Sequence, residues 1–264
     1  MNVKSENGKL FIVGSGPGDP KLLTLAALET IKSADVILYD NLVNKSLLNF
    51  AKKTCIKVFV GKKPYENTIS QSEINDLIRF YALSVENIVR LKGGDPHIFG
   101  RGYEELQFAK ENNICASYIP GISSMQTTGL HDIPLTYRGI STGVWAITGT
   151  RKDGSLAADL HLAARSTSTI VIYMGMSKLA EIAQIYQEAG KGHTSACIIE
   201  NGSLETQRKL ICKVKDLNKE ATRQNFANPA IIVIGDVVAL AEEQETLEEL
   251  LIGPLDESKN FFEG

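Results

Sequence analysis

Two segments of this sequence place clustered glycines and an Asp-Pro pair at the end of an apolar run: FIVGSGPGDPKLLT (11–24) and VRLKGGDPHIFGRG (89–102). Glycines between a strand and a helix let the backbone approach a ligand closely, so both are candidate cofactor loops. The first is spaced G-x-G-x-G over Gly14, Gly16 and Gly18, whereas a dinucleotide loop is spaced G-x-G-x-x-G. Asp19 also stands where a phosphate needs bare N–H groups, and its charge repels an anion. A phosphate cradle is therefore disfavoured. S-adenosylmethionine carries no phosphate, and G-x-G-x-G is also the loop of ordinary Rossmann methyltransferases. Those hold the ribose on an acid at the end of the second strand, the place Asp40 takes here. Pro17 argues against that reading, because it removes a donor and fixes φ in mid-loop. A purely structural turn stays open, with Asp19 as N-cap and Pro20 as the first helical residue.

In the second segment Gly93 and Gly94 permit a close backbone approach, and Asp95 either accepts ribose hydroxyls or caps the next turn. Arg101 either meets a carboxylate bidentately or sits on a solvated helix start.

These loops need a scaffold, and the apolar pattern supplies one. Strand-like runs cover 10–14, 36–40, 57–61, 87–95 and 116–121. Helices are expected from Pro20 to Ser33, over 71–83 and over 101–112, the first with a stripe of Leu22, Leu25, Ala26 and Leu28. Strands alternating with helices indicate parallel βαβ units. Beyond Pro134 and Gly139 lie strand candidates at 144–149, 169–175, 195–202, 207–214 and 229–235, with helices near 178–189 and 214–224. This half looks more like α+β. The expected division is an N-terminal α/β domain (1–137), a C-terminal α/β domain (138–240) and an acidic tail (241–264).

The bulk numbers narrow the function class. Of 264 residues, 43% are apolar and 22% charged, an ordinary globular balance. The net charge of −3 hides an asymmetry: residues 241–264 hold eight acids and one lysine, leaving the rest about four charges positive. That suits an anionic ligand. No basic run interleaved with aromatics suggests nucleic acid, and no apolar run approaches the roughly 20 residues that span a bilayer. Cys55, Cys115, Cys197 and Cys212 form no C-x-x-C pair, and no signal peptide is expected at MNVKSENGKL, so reduced thiols in a cytoplasmic protein are the simple reading. His97, His131, His161 and His193 lack metal-ligand spacing, so no metal is expected.

Nine motifs in order then carry a resemblance: VGSGPGDPKLLT (13–24), LYDNLV (38–43), VGKK (60–63), VRLKGGDPHIFGRG (89–102), IPGISS (119–124), IPLTYRG (133–139), YMG (173–175), ENGS (200–203) and PAIIVIGDVV (229–238). Together they resemble the tetrapyrrole methylase family, and within it the members that methylate uroporphyrinogen III. The resemblance implies two α/β domains with S-adenosylmethionine in the cleft between them, not an ordinary Rossmann methyltransferase. It implies methylation at C-2 and then C-7, giving precorrin-2 for sirohaem or cobalamin biosynthesis, with S-adenosylhomocysteine as the other product. A sister enzyme methylating a later precorrin, an NAD-binding Rossmann oxidoreductase and a catalytically silent carrier remain as alternatives.

Carried across motif by motif, the resemblance puts the cofactor on Pro17, Gly93, Gly94, Asp95, Ile98, Ser123, Ser124, Met174, Gly202 and Ala230. It makes Asp40 the candidate base and Lys62 the candidate acid. The substrate's eight carboxylates call for cations, with Lys63, Arg101 and Arg138 foremost and Lys92, Arg151 and Lys152 also near the motifs. Asn41, Tyr137 and Thr150 depart from the family's usual arginine and two histidines, which bears on tetrapyrrole contacts. A homodimer is expected by resemblance.

Overall fold

The computed structural model describes residues 8–61 and 69–242. The contacts divide the chain into two units: residues 1–127 with 200–208, and residues 128–199 with 209–264. The sequence reading puts the division at 137. The difference arises because residues 124–131 form one 3-10 segment that straddles the change, and because the segment after residue 199 returns to the first unit.

The first unit is built on a parallel sheet in the order β3-β2-β4-β1-β5. Its strands are β1 (Lys9–Gly14), β2 (Val36–Tyr39), β3 (Ile56–Phe59), β4 (Asn87–Lys92) and β5 (Cys115–Ile119). The doubly wound Rossmann order is 3-2-1-4-5; here β4 lies inside β1. Alternation then decides which side chain faces which layer. Leu10, Ile12, Leu38 and Ile88 pack with α2 (Gln71–Ala82) and α3 (Gly102–Glu111). Val13, Ile37, Val89 and Leu91 pack with α1 (Leu25–Ser33) on the other face.

The helix expected from Pro20 begins later. Pro20–Leu22 is a single 3-10 turn, with Asp19 accepting from the Lys21 N–H at 2.8 Å. Leu23 and Thr24 are extended, and Thr24 caps α1 by accepting from the Ala27 N–H at 3.2 Å. The interruption resets the helical phase, so α1 buries Ala27, Thr30 and Ile31, and the expected stripe leaves Leu25 79% exposed. By contrast, α2 starts where its sequence says it should, on a reciprocal capping box between Ser70 and Glu73.

The second unit holds a mixed sheet in the order β6-β7-β10-β8-β9: β6 (Val144–Thr148), β7 (Thr169–Tyr173), β8 (Ser195–Glu200), β9 (Arg208–Lys213) and β10 (Ala230–Ile234). β7 pairs parallel with β6 and antiparallel with β10. One face is covered by α4 (Asp159–Ala163), α5 (Leu179–Glu188) and α6 (Leu217–Arg223), through Leu160, Ile182, Tyr186 and Leu217 against Ile170, Ile172 and Ile232. α4 had no counterpart in the sequence reading, being five residues long.

His131 is 8% exposed, and its Nε2 has no partner among the described residues. Burial and then the charge of Lys209 hold its pKa below the usual histidine value, against Asp132. The fold therefore prefers neutral His131, while the unfolded chain takes up a proton below about pH 6.5. Stability is fully present above that value and falls as the pH drops beneath it. Denaturant melts at falling pH should show this loss, and His131→Leu should flatten it; an unchanged slope would remove His131 from the account.

Gly121 permits a second test. A Cβ there would lie 2.2 Å from the Gly94 carbonyl oxygen and 2.8 Å from Gly14 Cα, both backbone atoms. Gly121→Ala should destabilise the protein by about 1–3 kcal/mol in chemical denaturation, and a loss under about 0.5 kcal/mol would contradict this crossing.

Candidate active site

Because the first sheet is parallel, the loops after β1, β2, β4 and β5 leave from one edge, where open α/β sheets collect ligands. The two glycine loops meet there. Gly16 and Gly94 exchange backbone hydrogen bonds, N to O 3.2 Å one way and 2.8 Å the other, both with positive φ (76° and 64°). Ser15 N–H extends the ladder to the Lys92 carbonyl at 2.8 Å. A Cβ on Gly14 would meet Gly121 N at 2.5 Å, so the loop after β5 crosses at the same point.

Asp95 fastens this crossing. Its Oδ1 accepts from the His97 N–H at 2.8 Å; its Oδ2 accepts from Tyr118 OH at 2.5 Å and from Gly121 N–H at 3.1 Å. Burial and then the Asp95 contact push the Tyr118 hydroxyl up to about 12, so it donates at all working pH values. The His97 ring stacks on Tyr118 with centroids 3.9 Å apart. Asp95 thus makes the capping bond that one of its two sequence readings expects, with a tie to β5 added.

Other candidates gather on the same unit. Pro17 is half-buried between Gly16 and Gly18. Gly202 lies between Asn201 (φ 53°) and Ser203 (φ 70°), and its segment docks on the first loop. Ser203 Oγ accepts from Asp19 N–H at 3.0 Å, and a Cβ on Gly18 would strike Leu204 at 2.7 Å. Ser123 is buried, with its N–H donating to Gln126 Oε1 at 2.7 Å; Ser124 opens the 3-10 segment (124–131), and Ile98 is half-buried. A Cβ on Gly94 would meet nothing nearer than Ser124 N at 3.9 Å, so this glycine serves its φ rather than its packing. Gly93 differs: a Cβ there would lie 2.4 Å from Leu42 Cβ, so it makes room for the chain just after Asp40.

Asp40 directly follows β2, its side chain 24% exposed. Its Oδ1 accepts from the Leu42 N–H at 3.2 Å, and its Oδ2 pairs with Arg90 Nη2 at 3.3 Å. Arg90 falls within the motif VRLKGGDPHIFGRG (89–102) without being among its candidate site residues. The available signal was an Arg and a Lys at alternate positions of an otherwise apolar strand, where buried charge demands a partner. That partner is Glu105 on α3, which receives Arg90 Nε at 3.3 Å and Lys92 Nζ at 3.2 Å. Lys92 is 6% exposed. It is therefore committed inside the protein rather than offered to substrate carboxylates, as the sequence reading had allowed. Burial and then the neighbouring Arg90 charge lower its pKa, against Glu105.

Arg101 has φ 58° and forks onto Glu104 at 2.6–3.1 Å on the surface. Lys62 and Lys63 lie outside the described residues. On the second unit, Met174 follows β7 with φ 54°, 49% exposed, its carbonyl accepting from Thr150 Oγ1 at 2.8 Å. The pairing of Ile231 with Tyr173 brings half-buried Ala230 beside it, at the start of β10. A non-glycine residue held at positive φ with an exposed apolar side chain is the pattern of a strained functional position. Arg138 is exposed in a turn closed by Tyr137 and Ser141. Among the described residues no group of three or more His, Cys, Asp or Glu side chains is placed to hold a metal, Cys55, Cys115, Cys197 and Cys212 form no disulfide with one another, and no helix is long and apolar enough to cross a membrane.

Comparison with known proteins agrees with this geometry. A protein of Bacillus subtilis named uroporphyrinogen-III C-methyltransferase is 40% identical over 92% of this chain and 96% of its own length. One of the same name from Methanocaldococcus jannaschii is 37% identical over 90% and 99%. The crystal structure of uroporphyrin-III C-methyl transferase from Thermus thermophilus complexed with S-adenyl homocysteine superposes with a TM-score of 0.77 at 35% identity, covering 88% of this chain and 100% of that one. The family model for tetrapyrrole (corrin/porphyrin) methylases matches residues 9–218. With most of its length and both its sheets accounted for in this way, the chain belongs to the tetrapyrrole methylase family.

Proposed function

We propose that the chain transfers methyl groups from S-adenosylmethionine to C-2 and then C-7 of uroporphyrinogen III, giving precorrin-2 for sirohaem or cobalamin biosynthesis. The observation that carries this reading is the crossing of the GPGDP and GGDP loops at a parallel-sheet edge, in a chain 40% identical to a relative of that name. The residues suit this cofactor. Asp19 already accepts from its own helix start, so no phosphate cradle exists there, while backbone and small or apolar groups at Pro17, Gly93, Gly94, Ile98, Ser123, Ser124, Gly202, Met174 and Ala230 match a neutral adenosine and a sulfonium. When bound, the cofactor supplies an electrophilic methyl group.

The chain's own work is alignment and proton handling. Holding a pyrrole carbon in line with the methyl group contributes about 7–11 kcal/mol in favourable systems. Asp40, partly exposed and held on Arg90, takes the proton released by the cation that C-alkylation forms. Lys62 is the proposed acid. Asp95 holds the loops together and is also a proposed acceptor for the ribose hydroxyls. Lys63, Arg101 and Arg138 meet substrate carboxylates, Arg101 by exchanging Glu104 for one. A cytoplasmic homodimer belongs to the same reading.

Calorimetry should give heat with S-adenosylmethionine or S-adenosylhomocysteine and none with NAD; the reverse would sink the methyltransferase reading. Incubation with uroporphyrinogen III and labelled cofactor under reducing conditions should yield a dimethylated product. Cofactor binding without that product would favour a sister enzyme or a carrier. Asp40→Asn should keep cofactor affinity and lose about 10²-fold or more in turnover; near-normal turnover would strike it from the catalytic residues.

A further inference from the structure

Arg90, Lys92 and Glu105 are buried on the α2/α3 face of the parallel sheet, with side chains 4%, 7% and 0% exposed. Strand alternation puts both cations there, on the face of Ile88, and Asp40 follows Leu38 onto it. One oxygen organises the group. Glu105 Oε1 accepts from Arg90 Nε at 3.3 Å, Lys92 Nζ at 3.2 Å and Gln71 Nε2 at 3.2 Å, while Oε2 has no partner among the described residues. The far side of the guanidinium is fixed by the carbonyls of Leu91 (3.0 Å) and Leu38 (3.4 Å), which leaves Nη2 for Asp40 at 3.3 Å.

Two cations and two carboxylates balance. With Asp40 alone, one buried cation would stand uncompensated, and an unpaired buried charge is strongly unfavourable. A guanidinium held on three sides presents its remaining donor in one direction, and so fixes where the Asp40 carboxylate sits.

We propose that Glu105 is a positioning residue for the methylation: it fixes the plane of Arg90 and, through it, the Asp40 carboxylate that accepts the substrate proton. In that step a bond from hydrogen to the alkylated substrate cation breaks, its electron pair stays with the macrocycle, and an O–H bond forms on Asp40. The proposal rests on the reading of Asp40 as the base. Asp40 faces Arg90 and the charge of Lys92 from β4; behind these stand Glu105 from α3 and Gln71 from α2. Burial first, and then the charge of Arg90, depress the pKa of Lys92, while Glu105 and Asp40 oppose that shift.

Glu105→Gln keeps an acceptor for Arg90 and removes the charge, leaving two cations to one carboxylate. Asp40 then becomes a weaker base. The expected result is a loss of about tenfold in kcat with unchanged cofactor affinity, and an acid limb of the kcat–pH profile displaced to lower pH. A packing defect alone would not move that limb. An unmoved limb with parental kcat overturns the proposal. In an Asp40→Asn background, Glu105→Gln should change kcat by less than about twofold; a further tenfold loss would show an action not routed through Asp40, and overturns it as well. If Asp40→Asn turns over normally, the base reading fails and takes this proposal with it; a dead Asp40→Asn beside a normal Glu105→Gln fails the proposal alone. Should Glu105→Gln not fold, Glu105→Asp keeps the charge but draws it back from Arg90: kcat should fall about threefold or more at unchanged cofactor affinity, and parental kcat overturns the inference.

Discussion

The first unit depends on a close backbone crossing. Gly14, Gly94 and Gly121 come together at the ends of β1, β4 and β5 with no room for a Cβ on the first or the last. Three backbones can approach so closely only if their polar groups are paired in the contact itself, and they are: Gly16 and Gly94 bond each other, and Asp95 receives Gly121. Asp95 adds Tyr118 and His97 to the same knot. Ser203 and Leu204 then rest on the loop this knot holds in place, which brings Gly202 to it. This sheet edge is thus fixed mainly by backbone geometry, and the side chains around it inherit their positions.

Strand order has a second consequence. Because β4 lies between β2 and β1, its side chains reach both the end of β2 and the helix α3. Arg90 can therefore bridge Asp40 and Glu105, which lie 50 and 15 residues away in sequence. In the order 3-2-1-4-5, β1 would separate β4 from β2, and Arg90 would not neighbour Leu38 and Asp40. The change of order that removes this sheet from the Rossmann class is what allows the buried charge group to form.

That order was not legible in the sequence, although the strands were. Each of the ten strands among the described residues overlaps a run that the sequence reading marks as strand-like, most of them apolar and rich in β-branched residues, and local pattern suffices for that. Which strands pair depends on long-range packing, which no local window contains. The first helix was misplaced for a related reason: Asp19-Pro20 does start a helical turn, but Thr24, four residues on, competes as a better cap for a helix that buries Ala27 and Ile31. The site was readable as a set of loops. Glycines and Asp-Pro announce a turn, but that Asp95 also holds Tyr118 depends on a strand that follows 20 residues later. Lys92 shows the same limit. A lysine beside two glycines reads as a surface cation, and only the alternation of β4 against α3 makes it a buried one.

The buried charge group cannot be justified by stability alone. Taking Arg90, Lys92 and Glu105 out of water carries a desolvation penalty that their attraction only partly offsets, and apolar residues of similar volume often serve a core equally well. The surrounding face offers such residues in Leu10, Ile88, Leu106 and Ala109, so a fully apolar continuation was chemically open. An apolar side chain in place of Arg90, however, would leave Asp40 with the Leu42 N–H as its one described donor, free to turn with the loop after β2. On the proposed reading of Asp40 as the base, its carboxylate needs a fixed direction as well as a charge. The rigid fork of a buried guanidinium supplies that direction, and Glu105 is the counter-charge that keeps the guanidinium in the core.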